Sequence, residues 1–183
     1  MNSLTDNAIM LKVRDGDLDR MGLLFERYHR QLYRFLYHMT YQREASEDMV
    51  QVIFYKMIKY RNSFTGTGEF VHWMYTIARN VLKDQGRQKK QVQAGISVDE
   101  MADWLPDGVS LELQLEKKQA AEGLRRAMER LNADEREVLT LSRFQELKHQ
   151  EVAQILNISE GAVKVRVHRA IQELKKIYIN VER

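Results

Sequence analysis

Cationic and polar side chains recur at helical spacing near the middle of the chain, and their chemistry suits a polyanion. Residues 79–90 hold five Lys/Arg and a single Asp. The residues that step by three or four along one helix face are Asn80, Lys83, Asp84, Arg87 and Lys90. Aromatic residues stand just upstream, and bases stack on aromatic rings while Lys and Arg bind phosphates. The segment predicts a surface for single-stranded nucleic acid, and the competing interpretation is a solvated helix face beside core aromatics.

The aromatic residues and the Met just upstream of the cationic segment do not all have the same predicted role. Phe70 and Met74 fit the core face of the same helix and are predicted to be buried. Phe64 and Trp73 adjoin the Gly-containing loop at 61–68, and for them both interpretations remain open.

A second cationic helix closes the chain, in residues 149–176. A short helix is predicted first, with Val152, Ile155 and Leu156 on one face, followed by a turn at Asn157, a residue type that tolerates turn backbone. Ser159 is placed to cap a second helix. That helix buries Val163, Val167, Ala170, Ile171 and Leu174 and turns outward Lys164, Val165, His168, Arg169 and Lys175. The arrangement predicts a helix-turn-helix whose second helix enters the DNA major groove; the alternative is an ordinary helical hairpin with a solvated basic face.

Catalytic and metal-binding patterns are not apparent in the sequence. The five His residues are scattered, and Gly66-Thr67-Gly68 lacks the Gly-Lys-Ser/Thr that completes a phosphate loop. We therefore expect no enzyme activity, no cofactor and no metal.

Composition indicates an all-helical protein of the reducing cytoplasm. The chain has no Cys, which excludes disulfides, and only one Pro and nine Gly among 183 residues. The sequence has no run of 18 apolar residues, so it predicts no membrane span, and its first residues do not resemble a signal peptide.

Charge divides the chain into three parts. Residues 1–90 carry 15 Lys/Arg against 10 Asp/Glu, residues 91–122 carry 2 against 7, and residues 123–183 carry 12 against 9. Two basic parts around an acidic middle predict two small helical domains, at 1–91 and 115–183, joined by a flexible acidic linker at 92–114.

Hydrophobic spacing predicts the individual helices. The first spans 5–14 and the second begins after Asp17; a third begins near Ser46 and a fourth covers 69–90. The third helix is predicted to turn Met49, Val52, Ile53, Met57 and Tyr60 inward. One helical turn is expected at 99–104, helix resumes near 115, and Asn132 or Asp134 caps the helix that follows.

Three segments in this order resemble the extracytoplasmic-function sigma factors of bacterial RNA polymerase. They are 46–54, with its acidic, apolar and Gln-x-x-Phe pattern; 70–80, close to Trp-x-x-x-Ile-Ala-Arg-Asn; and the helix-turn-helix with Arg-Ala-Ile-x-x-Leu at 169–174. The resemblance covers nearly the whole chain and implies a protein that binds core polymerase, recognises the minus-ten and minus-thirty-five promoter elements and opens the promoter.

The resemblance also implies partners and site residues. The residues expected to dock on the clamp coiled coil of the polymerase β′ subunit are Glu47, Asp48, Gln51 and Phe54. Those expected at the minus-ten element are Arg61, Asn62, Ser63, Phe64, Trp73, Arg79, Asn80, Lys83, Asp84 and Arg87, with the loop at 61–68 capturing a flipped non-template base. Those expected at the minus-thirty-five element are Ser159, Glu160, Gly161, Ala162, Lys164, Val165, Arg166, His168 and Arg169. The resemblance further implies two partners, the polymerase β flap and a membrane-attached anti-sigma factor. It also implies that the acidic linker passes near the nascent RNA.

Some residues depart from the family pattern, and two other classes of protein remain as alternatives. Gly161-Ala162-Val163 stands where the family often has Thr, Asn132 where it often has Pro, and Val165 where a small polar residue is common. These departures leave the promoter sequence undetermined. The main alternative is a regulator that dimerises on a palindrome through its helix-turn-helix; the other is an enzyme acting on nucleic acid.

Overall fold

A computed structural model describes the backbone of residues 4–89 and 111–181, and the side chains of 4–86 and 118–180. Within these ranges the regular elements are all helical, which confirms the predicted all-α class. They are α1 (Asp6–Arg14), a 3₁₀ turn (Leu18–Arg20), α2 (Met21–Thr40), α3 (Arg43–Lys59), a 3₁₀ turn (Arg61–Ser63), α4 (Phe70–Lys89), α5 (Leu111–Arg130), α6 (Ala133–Leu139), a π turn (Thr140–Phe144), α7 (His149–Leu156) and α8 (Glu160–Val181).

The first four helices enclose one core. Apolar residues at three- and four-residue spacing face inward from each helix, and the largest fully buried ones include Ile9, Met10, Leu24, Leu32, Phe35, Ile53, Met57, Phe70, Met74 and Tyr75. Thr5 caps α1 by accepting the Ala8 N–H at 3.2 Å. Tyr41 adopts a left-handed backbone with φ of 52°, which ends α2 and turns the chain into α3.

The third helix differs from its prediction in two ways. It begins at Arg43, and Ser46 lies inside the helix, fully buried. Its hydroxyl donates to the Gln42 carbonyl at 2.6 Å and lies 3.1 Å from the Thr40 hydroxyl, so it links the corner between α2 and α3 instead of capping. The predicted inward residues Val52 and Tyr60 are 41% and 49% exposed.

The second domain is built around the predicted helix-turn-helix. Helix α5 begins at Leu111, earlier than expected, and ends where Arg136 donates to the carbonyls of Met128 and Leu131, both at 3.0 Å. Asn132, one of the two predicted caps, accepts the Glu135 N–H at 2.9 Å. Helices α5, α6 and α7 pack against α8. Helix α7 has 8 residues and α8 has 22, which confirms the prediction of a short helix followed by a longer one.

The largest contacts between the two domains are those of α2 with α6, α2 with the π turn, and α4 with α7. The predicted linker falls mostly on 90–110, outside the described residues, as does the expected turn at 99–104, while 111–114 belong to α5. None of the described helices combines the length and apolarity needed to cross a membrane.

Candidate nucleic-acid interface

The outer face of α4 presents the predicted polar stripe. Asn80 and Lys83 are exposed, as the sequence pattern requires. Asp84 is also exposed, and its carboxylate accepts a bond from the Lys56 ammonium on α3 at 3.0 Å. An exposed pair of this kind stabilises the fold by less than about 1 kcal/mol, so either partner can exchange it for another charged group. The Arg87 side chain lies outside the described residues.

The loop before α4 is held by short-range bonds. The Arg61 guanidinium donates to the Ile58 carbonyl at 3.1 Å, and the Ser63 hydroxyl donates to the Tyr60 carbonyl at 2.8 Å. The Trp73 indole N–H donates to the same Ser63 hydroxyl at 3.1 Å, which joins α4 to the loop. Asn62 is exposed. The partly exposed Trp73 indole is therefore bonded to a loop hydroxyl that lies at the surface.

Phe64 belongs to the core. Its side chain is 3% exposed, and its ring centroid lies 5.4 Å from that of Trp73 and 6.3 Å from that of Phe70. Of the two residues left open by the sequence, Phe64 is the buried support and Trp73 the half-buried side chain at the surface. The assignment of the Phe64 ring to a DNA contact is therefore corrected: a buried ring has no free face on which a base can stack.

Arg79 contacts the second domain in this arrangement. Its guanidinium binds both carboxylate oxygens of Glu137 on α6, at 2.7 and 3.2 Å, and donates to the Ile155 carbonyl at the end of α7, at 2.9 Å. The side chains of Arg79 and Glu137 are only 21% and 14% exposed. In this arrangement the guanidinium is occupied by groups of the second domain, and the minus-ten role of Arg79 stays a prediction.

Further side chains connect the two domains. The Tyr75 hydroxyl donates to Gln145 at 3.2 Å, and the His38 ring stacks on Phe144 with centroids 4.0 Å apart. Burial, with a smaller effect from the nearby Arg34 cation, lowers the pKa of His38 to about 4, so the ring is neutral here at pH 7. Burial raises the pKa of Tyr75, whose hydroxyl remains protonated. Sequence spacing gives no sign of these contacts, because the partners lie far apart in the chain.

Three of the four α3 residues predicted to bind polymerase lie at the protein surface. Glu47, Asp48 and Gln51 are exposed, and Glu47 pairs with Arg43 at 3.3 Å. Phe54 is 6% exposed, and its ring packs against Phe25 with centroids 4.9 Å apart. Phe54 therefore supports the face from within instead of contributing an open side chain.

The apolar part of this face comes from two residues that were not predicted there. Val52 and Tyr55 are 41% and 64% exposed. Val52 was predicted to lie in the core, because helical spacing alone does not locate the edge of the neighbouring helix.

The recognition helix matches its prediction closely. Ser159 accepts the Ala162 N–H at 3.1 Å and so caps α8, and Asn157 takes the left-handed backbone of the turn with φ of 55°. The buried stripe consists of Val163, Val167 and Ala170, while the predicted Ile171 and Leu174 are half-buried and pack against the core. The predicted DNA-facing side chains are exposed except for half-buried Ala162; they are Ser159, Glu160, Gly161, Lys164, Val165, Arg166, His168 and Arg169.

One pair on the recognition helix was not foreseen. Lys164 lies 2.9 Å from Glu160, one turn earlier, and this cation lowers the pKa of the Glu160 carboxyl. Lys164 therefore has a local partner on an exposed surface.

Comparison with known families adds independent evidence. Residues 24–92 match the model of Sigma-70 region 2, and residues 121–174 match that of Sigma-70, region 4. RNA polymerase sigma factor YlaC of Bacillus subtilis is 32% identical over 168 residues, which cover 91% of this chain and 94% of the relative. ECF RNA polymerase sigma factor SigM of the same organism is 32% identical over 156 residues, covering 85% and 93%. The chain belongs to the extracytoplasmic-function sigma factors of RNA polymerase.

Solved structures resemble this sigma factor over both domains. RpoE of Bartonella quintana, in complex with the anti-sigma factor NepR, matches with a TM-score of 0.65 and 25% identity, covering 88% of this chain and 98% of that one. CnrH, in complex with the cytosolic domain of CnrY, matches with a TM-score of 0.69 and 21% identity, covering 94% and 96%. Members of this family are transcription initiation factors. Membership therefore favours the interpretation as a sigma factor over that as a dimeric regulator.

Proposed function

We propose that this sigma factor binds core polymerase through α3, opens the minus-ten element with α4 and its preceding loop, and binds the minus-thirty-five element through α8. The observation that carries the proposal is the surface of α4: exposed Asn80 and Lys83 follow on the same helix whose Trp73 closes the 61–68 loop. Asn80 offers donors and acceptors to a base edge, and Lys83 offers charge to a phosphate.

The polymerase contact uses the exposed part of α3. Asp48 and Gln51 supply polar groups, while Val52 and Tyr55 supply apolar area beside them. A mixed face of this kind suits a protein partner, which would remove the exposed apolar area of Val52 and Tyr55 from water. The partner is the clamp coiled coil of the β′ subunit, and the second domain contacts the β flap.

The domains must separate when the promoter binds. The minus-ten and minus-thirty-five elements lie about 25 base pairs apart, which is about 85 Å of B-form DNA at about 3.4 Å per base pair. Helices α4 and α7 are in direct contact in this structure. The closed arrangement, with Arg79 held by Glu137, is therefore a state in which the sigma factor is not bound to a promoter.

An anti-sigma factor is the proposed regulator, and the family resemblance implies that it is attached to the membrane. Its support is the likeness to RpoE, whose structure contains the anti-sigma factor NepR. Pull-down from native membranes should recover both this partner and polymerase; recovery of polymerase subunits alone would count against the regulator.

Run-off transcription with purified core polymerase tests the main proposal. Lys83→Ala should weaken all promoters alike and reduce the dependence of binding on salt, because a phosphate contact is lost. Asn80→Ala should change preference at one minus-ten position. Lys175→Ala, which removes an exposed cation late in α8, serves as the charge control. Unaltered relative promoter use by Asn80→Ala across a base-substitution panel would contradict its role.

The α3 contact needs its own variants. Replacing Asp48 and Gln51 with Ala should weaken binding to core polymerase without loss of helicity, since both side chains are exposed. Glu44→Ala, in the exposed first turn of the same helix, is the matched control. Equal co-purification of the double variant and the control with core polymerase would show that α3 docks through other residues.

A further inference from the structure

Helix α1 forms hydrogen bonds with the end of the loop that precedes α4. The Asn7 amide donates to the Gly68 carbonyl at 2.9 Å, and its oxygen accepts the Phe70 N–H at 2.7 Å. The first N–H groups of a helix have no partner within the helix, so Asn7 satisfies one of them on α4 from 63 residues away. One side chain thus joins the end of the loop to the start of the helix.

The rest of the same α1 face contacts the middle and beginning of the loop. Leu11, one turn after Asn7, lies under Gly66: a Cβ placed on Gly66 would come within 3.0 Å of a Leu11 methyl. Gly66 also has a φ of 77°, a backbone that favours glycine. Arg14 reaches the Phe64 carbonyl at 3.4 Å. Residues 7, 11 and 14 follow helical spacing, so they form one continuous edge along the loop.

A neighbouring face of α1 anchors it to the domain. Ile9, Met10 and Val13 are fully buried in the core. The carboxylate of Asp6 accepts bonds from Arg27 at 2.5 Å and from the Tyr28 hydroxyl on α2. Because α1 is fixed at both its N-terminal end and its core face, it provides a rigid support against which the loop can be set.

We propose that Asn7 and Leu11 are positioning residues for promoter opening, which hold the 61–68 loop in the shape that receives an unstacked base. This inference rests on the proposed role of that loop. Neither side chain touches DNA; they act by fixing the loop backbone that carries Ser63, Thr65 and Thr67, whose exposed hydroxyls lie at the loop surface. A mobile loop would lose base affinity without losing duplex or polymerase affinity.

Substitutions at Asn7 separate its two bonds. Asn7→Asp retains the acceptor for the Phe70 N–H but removes the donor to the Gly68 carbonyl. Asn7→Ala removes both. Leu11→Ala leaves both bonds and removes the support under Gly66. Thermal unfolding should report the loss of the α4 cap in Asn7→Ala and not in Asn7→Asp, while all three variants should lose the loop geometry.

The measurement is the affinity of reconstituted holoenzyme for a single-stranded non-template minus-ten oligonucleotide, with the flipped position carrying either a base or an abasic site. Stacking a base contributes about tenfold to affinity, so the wild-type base-to-abasic ratio should be about ten. The ratio should fall toward one in Asn7→Asp and Leu11→Ala, with core binding unchanged. The added charge of Asp weakens both oligonucleotides alike and cancels in the ratio.

Two negative outcomes have different meanings. A wild-type ratio of one would overturn the proposed base-capturing role of the loop. A wild-type ratio near ten that persists in folded Asn7→Asp and Leu11→Ala would overturn the positioning role of α1 and leave the function of the loop standing.

Discussion

The contact between Arg79 and Glu137 predicts how readily the two domains separate. Glu137→Gln keeps the shape of the side chain but removes its charge, leaving Arg79 with a neutral acceptor. A hydrogen bond to a charged group contributes about 1.5–3 kcal/mol when buried, and the partial exposure of both side chains, 21% and 14%, favours the lower part of this range. A loss of about 1.5 kcal/mol raises the ratio of open to closed protein about tenfold.

Single-molecule energy transfer measures this ratio directly. The chain contains no Cys, so Lys12→Cys on α1 and Gln172→Cys on α8 place one exposed label in each domain. The matched control is Glu135→Gln, which makes the same change in charge two residues earlier on α6. An open fraction equal in Glu137→Gln and the control would refute the role of this ion pair. So would a wild-type protein that is already open.

Three further predictions concern pH, DNA recognition and stability. The pKa of His38 is lowered from 6.5 to about 4 in the folded protein, so the unfolded chain binds more protons in between and stability should fall as pH drops through this window. His38→Phe should flatten the pH dependence of chemical denaturation, and an unchanged slope would contradict the assignment. Lys164→Ala should weaken the free energy of binding to the minus-thirty-five element by about 1–3 kcal/mol and reduce base specificity at one of its positions in a competition binding assay. An equal loss of affinity for all sequences, with a smaller dependence on salt, would indicate a phosphate contact instead. Asn132→Ala should lower unfolding free energy by about 1 kcal/mol through loss of the α6 cap, and Asn132→Asp should restore it; equal melting of both variants would exclude capping.

Local patterns in the sequence determined the helix-turn-helix. The Ser159 cap spans three residues, the left-handed turn at Asn157 is a property of one residue type, and the buried stripe of α8 follows a fixed period. Each of these depends on neighbours within about one helical turn, which is why spacing alone predicts them. The exposure of Asn80 and Lys83 on α4 was predictable for the same reason.

Tertiary packing decided whether a residue at the edge of an apolar stripe is buried or exposed. Phe54 is buried and Val52 is exposed, the reverse of their predicted placement on α3. A helical period gives the direction of the apolar stripe, but its edges depend on where the neighbouring helix lies, and here Phe25 of α2 covers Phe54. The burial of Phe64 follows likewise from the positions of Phe70 and Trp73.

Long-range partners could only come from the three-dimensional structure. Arg79 and Glu137 are 58 residues apart, and Asn7 and Phe70 are 63 apart. The sequence marks Arg79 as a cation beside other cations, and marks Asn7 as one polar residue in a first turn; it contains no signal that pairs either with its partner. Hydrogen bonds depend on distances of about 3 Å, and such distances between remote residues are set by how whole helices pack. The sequence by itself therefore determined the helices and the chemistry of their surfaces, while the packing determined which of those surfaces face solvent and which are held by another part of the chain.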